Sequence, residues 1–168
     1  PNDPVAISFW IISISMVAAT VFFLMESQTV ASHWRTSLNV GSLVTLVAAV
    51  HYFYMREFWV QIHSSPILYR YIDWSITVPL QMIEFYLILA AITKVSSGIF
   101  WRLMLGTLIM LLGGYIGESG LGNETVFFAI GFAGWLFILY EIFAGEASKV
   151  CAASASAGVQ KAYGVLRI

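Results

Sequence analysis

Apolar residues in this chain come in long runs separated by short polar stretches. Val5 to Met25 is the first run. About 20 residues of helix cross the ~30 Å hydrocarbon layer of a bilayer, so the run is long enough to span. Glu26 to Arg35 follows as a polar turn, and a second run extends from about Thr36 to Tyr54. Arg56 to Pro66 reads as the next polar connection, with Pro66 placed to open a helix. The third span is predicted from Ile67 to Ile92, and its internal Pro79 is tolerated in membranes. Thr93 to Gly98 is a short loop, Ile99 to Ile116 a fourth span, Gly117 to Asn123 a glycine-rich turn and Glu124 to Ala144 a fifth span. Gly145 to Gln160 is a longer polar segment of small residues. A sixth helix opens at about 160–168, clearest from Tyr163 to Ile168. The pattern predicts an all-α integral membrane protein, with residues 1–168 forming a single transmembrane helical domain. Because Arg167 and Ile168 stand in mid-helix, the chain is expected to continue beyond them.

Composition agrees with the pattern. Sixty per cent of residues are hydrophobic and ten per cent charged, outside the range of soluble domains. A net charge of −1, with no basic run and no phosphate-cradling glycine loop, gives no nucleic-acid footprint. The single cysteine, Cys151, excludes an internal disulfide framework and reads as a small residue near an interface. No metal-ligand cluster stands out. Charge in the connections sets a direction. The odd-numbered loops and adjoining helix ends hold Arg35, Lys94, Arg102, Lys149 and Lys161, whereas the even-numbered ones hold only Arg56. The positive-inside rule then places the N-terminus outside and runs the third span from outside to inside.

That third span carries the chemistry. Arg70, Asp73, Thr77, Gln81 and Glu84 all fall in an apolar segment. At about 100° per residue they occupy one face within roughly 80° of Asp73. Asp73 and Glu84 lie about 16 Å apart along the axis, roughly half the hydrocarbon thickness. An acid near the centre of a membrane costs on the order of 2.5–3.5 kcal/mol on insertion scales, so two on one face suggest a proton path.

The segment RYIDWSITVPLQMIEFYLIL (Arg70 to Leu89) resembles the third helix of the microbial rhodopsins, specifically the proteorhodopsin group. HYFYMR (His51 to Arg56), GYIGESG (Gly114 to Gly120) and YEIFAGE (Tyr140 to Glu146) extend the resemblance over essentially the whole chain. It implies a seven-transmembrane-helix rhodopsin bundle, of which five helices and the start of the sixth are present. It also implies retinal, held as a Schiff base on a lysine of the seventh helix. No lysine here stands in for that one. Lys94 and Lys149 lie in connections, and Lys161 enters the first turns of the sixth helix.

Residue by residue, the resemblance implies that Asp73 is the Schiff-base counterion and proton acceptor and Glu84 the cytoplasmic proton donor. Desolvation in a dry half-channel favours the neutral form of such a donor. Asp73, Thr77 and Glu84 together match the family's proton-pump signature, and Thr77 is expected to hydrogen-bond the Asp73 carboxyl group. Arg70 is implied as stabiliser of Asp73 and outer gate. By itself His51 reads as a structural hydrogen-bonder about five residues inside the outer end of the second span; the resemblance sets it beside the counterion. Trp10 matches a tryptophan that meets this histidine across a subunit boundary, which implies a ring-shaped homo-oligomer, a pentamer or hexamer. Trp74, Met110, Gly114 and Trp135 match retinal-pocket positions. Gln81 stands where blue-absorbing members carry glutamine and green-absorbing members leucine. Glu118 reads as an exposed helix-end carboxylate, although its counterpart has been considered near the proton exit. Glu141 and Glu146 read as interfacial and receive no role. Gly113 and Gly117 form a small-xxx-small pair suited to close packing. The implied function is a light-driven outward proton pump of the bacterial inner membrane, a photoactive transporter rather than an enzyme. Two readings compete with it: a photosensory rhodopsin signalling through a partner, and a light-independent helical transporter.

Overall fold

A computed structural model describes residues 3–167. The described residues form seven helices: α1 (Pro4–Thr29), α2 (Ser32–Ile62), α3 (Ile67–Ala90), α4 (Ser97–Glu118), α5 (Glu124–Phe143), α6 (Glu146–Ser154) and α7 (Ala157–Leu166). Five stretches are long and apolar enough to cross a membrane: Pro4–Thr29, Ser32–Ile62, Ile67–Ala90, Ser97–Glu118 and Glu124–Ser154. The chain divides inside α3, between Gln81 and Met82, into two compact units.

In the first unit α1 packs along α2. The buried residues of α1 are Ala6, Ser13, Thr20 and Ser27, one small side chain every seven residues. This spacing keeps a single narrow seam facing the neighbouring helix and lets the two backbones approach closely. Polar bonds stitch the seam: Ser13 Oγ donates to the Ala49 carbonyl at 2.9 Å, and the Thr20 and Thr45 hydroxyls meet at 2.8 Å. Such bonds are retained because lipid offers a stray hydroxyl no partner. Asp3 caps α1, accepting from the Val5 and Ala6 amides, with Pro4 at the first helical position. Its other oxygen accepts from Trp59 Nε1 at 2.7 Å, which ties the start of α1 to the last turns of α2.

Several boundaries differ from those read off the pattern. The expected polar turn at Glu26 to Arg35 shrinks to a few residues, because α1 continues to Thr29 and α2 starts at Ser32. Ser27 returns its hydroxyl to the Leu24 carbonyl, so polar character there does not break the helix. Arg56 to Ile62, expected as connection, is the end of α2, which stops at His63 in the left-handed conformation (φ 53°). At 31 residues α2 is about 46 Å long and outreaches the hydrocarbon layer. The polar segment after Gly145 contains helix α6. The helix expected to open at about 160–168 is α7, which starts earlier, at Ala157, and is followed through Leu166; Ile168 lies outside the described residues.

In the second unit α4 and α5 meet through glycine. A Cβ on Gly113 would lie 2.7 Å from the Gly131 nitrogen, and one on Gly134 would lie 2.7 Å from the Met110 nitrogen. The Gly113–Gly117 pair is thus part of a close helix contact. Gly117 takes part more loosely, its added Cβ meeting the Phe127 Cβ at 3.3 Å. Large apolar side chains such as Leu105, Leu112, Phe128 and Phe132 remain exposed, as suits a lipid-facing surface.

Candidate functional site

Asp73 projects from the middle of the first-unit part of α3 and is buried at 3% exposure. Its Oδ1 has no hydrogen-bond partner among the described residues. His51 is a chargeable group beside it, with Nδ1 3.7 Å from Oδ1, too long for a hydrogen bond. The same Nδ1 lies 2.9 Å from the Val47 carbonyl one turn back, which fixes the ring. Because α2 runs to Ile62, His51 stands eleven residues inside its end, about 16 Å, rather than the expected five. A buried carboxylate oxygen without a partner is costly to leave so and is the feature a cationic or proton-donating ligand would satisfy.

Thr77 is buried, but its hydroxyl donates to the Asp73 backbone carbonyl at 3.0 Å rather than to the expected carboxyl group. In a helix the carbonyl four residues back lies within reach of a threonine hydroxyl, and that local bond wins. Arg70 is half-buried and places its guanidinium over the Trp74 ring, 5.3 Å from the centroid, a cation–π contact. Tyr71 also meets Trp74, edge-on at 5.3 Å between ring centroids. Trp10 is exposed at 47% on α1, where it meets Phe53 and the Arg56 guanidinium. Gln81 is exposed.

In the second unit Glu84 is half-buried, between the buried Met82 and Phe85. Phe85 packs edge-on against Tyr163 of α7 at 5.5 Å. Met110 and Gly114 are half-buried on α4, and the backbone at both is set by α5: the Met110 carbonyl and Gly114 nitrogen lie 3.2 and 3.1 Å from a Cβ placed on Gly131. Trp135 is 43% exposed and continues an aromatic row with Phe132. Glu118 is exposed.

The sequence reading left Glu141 and Glu146 at the interface without a role, and the structure gives both one. Glu141 is buried at 3% exposure. It binds Arg102 through both oxygens, at 3.1 and 3.2 Å, and caps α6 by accepting from the Ala147 amide at 3.1 Å. Glu146 binds the same guanidinium from the exposed side. Gly145 allows this corner, since a Cβ there would lie 2.6 Å from Glu141 Oε2. Their separation by five residues does not announce a shared partner, and Arg102 lies 39 positions before Glu141 and 44 before Glu146.

The comparisons carry the same pattern to known proteins. The family model described as "Bacteriorhodopsin-like protein" matches residues 3–168. The chain is 47% identical over 165 residues to the blue-light absorbing proteorhodopsin of Gamma-proteobacterium Hot 75m4, covering 98% of this chain and 65% of that protein. It is 45% identical, again over 165 residues, to the green-light absorbing proteorhodopsin of Gamma-proteobacterium EBAC31A08, covering 98% of this chain and 66% of that protein. The crystal structure of blue light-absorbing proteorhodopsin from Med12 superposes with a TM-score of 0.82 at 46% identity, covering 98% of this chain and 73% of that one. The chain therefore spans just under two thirds of the length of these two curated relatives. With a family match along nearly its entire length and five apolar helical stretches, this multi-pass membrane chain belongs to the bacteriorhodopsin-like family.

Proposed function

We propose that the protein of which this chain is part is a light-driven outward proton pump that binds retinal and absorbs blue light, in the bacterial inner membrane with its N-terminus outside. The observation that carries the reading is the buried Asp73 carboxylate, whose Oδ1 lacks a partner and has His51 as its neighbouring chargeable group. That vacancy fits the protonated nitrogen through which retinal is held in this family. When bound, retinal supplies light-driven isomerisation and the labile proton. The chain's own residues do the rest. Asp73, ionised opposite a buried cation, accepts the proton on Oδ1, which removes two buried charges at once. His51, fixed by the Val47 carbonyl, adjusts how readily Asp73 holds that proton. Arg70, stacked on Trp74, keeps positive charge on the outer side of the acid and directs release outward. Glu84 returns a proton from the cytoplasmic side. Trp74, Gln81, Met110, Gly114 and Trp135 would hold the polyene, with Gln81 tuning its colour. Trp10, exposed on α1, would meet His51 of a second copy in a homo-oligomeric ring.

The test uses full-length protein reconstituted with retinal in liposomes. Illumination acidifies the outward-facing compartment; Asp73→Asn abolishes the transport, and Glu84→Gln slows reprotonation of the chromophore by roughly a hundredfold or more, within the range of general acid catalysis. A slow photocycle in wild type that Glu84→Gln leaves unchanged would favour a sensor instead.

A further inference from the structure

Two depressions along the α1–α2 pair share Trp10 and Phe53 and so form one groove. The first, of about 540 Å³, is lined by Asp3, Arg56 and His63 as well as the two shared rings. The second, of about 420 Å³, continues between Ile14 and Val17 of α1 and Leu46 and Val50 of α2. All four of these aliphatic side chains are exposed. Ser13 also lines this part, but its hydroxyl is given to the Ala49 carbonyl. The groove is therefore polar at one end and apolar along the rest. From Arg56 to Leu46 is ten residues of α2, about 15 Å along the axis, half of the ~30 Å hydrocarbon layer. The apolar part thus has the depth of one leaflet.

The polar end has a donor without an acceptor. Arg56 Nε is buried and has no hydrogen-bond partner among the described residues, while the guanidinium stands over the Trp10 ring, 6.0 Å from its centroid. Asp3 does not answer it: Oδ1 accepts from the Val5 and Ala6 amides and Oδ2 from Trp59 Nε1. A buried N–H on a cation is costly to leave unpaired, and a guanidinium matches the oxygens of a phosphate in geometry and charge. Free phosphate would use only this end of the groove; an amphiphile uses both. We propose that the groove is a phospholipid site, with the phosphate on Arg56 and one acyl chain lying between α1 and α2 as far as Leu46. His63 offers a further ring N–H to the headgroup, and Trp10 sits at headgroup level, where tryptophan is favoured. The inference is independent of the roles given to Asp73 and Glu84.

The experiment is native mass spectrometry of full-length protein reconstituted with retinal, stripped of lipid in detergent micelles and titrated with dipalmitoyl phosphatidylglycerol. Dipalmitoylglycerol, which has the same chains and no phosphate, is expected to bind at least roughly tenfold more weakly, as loss of a charge-assisted hydrogen bond implies. Arg56→Gln should weaken the phospholipid by a similar factor, and Val17→Trp, which fills the apolar part, should weaken both lipids. Arg35→Gln removes an exposed cation from the opposite end of α2 and should leave the affinity as in wild type. Equal affinity for the two lipids overturns the proposal, as does equal weakening by Arg35→Gln and Arg56→Gln, which marks general attraction of charge. A change in subunit number on Arg56→Gln with unaltered lipid affinity also overturns it, since a second copy then covers the groove. If Arg56→Gln does not fold, Val17→Trp decides: undiminished binding overturns the assignment.

Discussion

Replacing Gly134 by alanine tests how the second unit is held together. The added Cβ would lie 2.7 Å from the Met110 nitrogen, 2.9 Å from the Gly106 oxygen and 3.0 Å from Ile109 Cγ2. Two of these are backbone atoms and have no rotamer to escape into. To restore ordinary contact at 3.4 Å, α4 and α5 must part by roughly 0.7 Å along much of their seam. Overpacking of this kind costs about 1–3 kcal/mol, against which the better helix propensity of alanine returns only about 0.5–1 kcal/mol. The net expectation is a loss of up to about 2 kcal/mol, or up to roughly a thirtyfold shift in the unfolding equilibrium. Gly164→Ala on α7 is the matched control, because nothing lies within 4 Å of its Cβ and only the propensity gain remains. The assay is equilibrium unfolding in mixed micelles with increasing SDS, followed by tryptophan fluorescence. Gly113→Ala, which strikes the Gly131 nitrogen at 2.7 Å, should cost a similar amount. The double variant Gly113→Ala/Gly134→Ala should cost less than the two together, since the first already opens the seam. If Gly134→Ala proves as stable as Gly164→Ala, the backbone contact does not hold these helices.

Glu141→Gln leaves Arg102 without its buried partner and should cost about 2–3 kcal/mol in the same assay, less than a fully buried pair because the guanidinium is part-exposed. Glu146→Gln, on the exposed side of that guanidinium, should cost under about 1 kcal/mol. Asp3 lies before the first span, and the Trp59 indole hydrogen bond holds its carboxyl below the ordinary value of 3.8. The carboxylate's contribution is therefore complete above 3.8 and disappears as the pH falls through the lowered value. Trp59→Phe should thus lower the thermal midpoint at pH 6, with the loss shrinking as the pH falls through the lowered value; an equal loss at every pH would show that the bond to ionised Asp3 is not the cause. For the colour, Gln81→Leu in retinal-reconstituted full-length protein should redshift the absorption maximum. A polar side chain matched to the ground-state charge widens the excitation gap, and an unmoved peak refutes the assignment.

The membrane spans were legible because lipid imposes one rule throughout: about 20 apolar residues per crossing. Their ends were not, since Glu26, Ser27, Arg56, Glu57 and Gln61 are polar residues that remain helical beyond the apolar runs. Asp3 followed by Pro4 carried a readable start signal, but its bond to Trp59 joins positions 56 apart that no local pattern links. The seven-residue recurrence of Ala6, Ser13, Thr20 and Ser27 was also present in the sequence, masked by the apolar residues between them. For the site, one-face spacing singled out Asp73 and Glu84 from sequence alone. It gave no way to see that the Thr77 hydroxyl turns to the backbone, because the two acceptors differ by a side-chain rotation rather than by position. Arg102 stayed hidden for the opposite reason: it looked ordinary, and only folding brings Glu141 and Glu146 to it.

Two buried carboxylates in this chain show how environment divides structure from chemistry. Glu141 and Asp73 are equally buried, at 3% exposure. Glu141 has both oxygens occupied, by a guanidinium fork and a helix-capping amide. Those charge-assisted bonds join α4, α5 and α6, so Glu141 serves as a fastening. Asp73 has an oxygen with no hydrogen-bond partner among the described residues, and the His51 imidazole beside it stands beyond hydrogen-bond distance. An acceptor so placed can meet a proton donor that approaches Oδ1, and the role proposed for Asp73 rests on that, more than on the presence of an acid in a membrane helix.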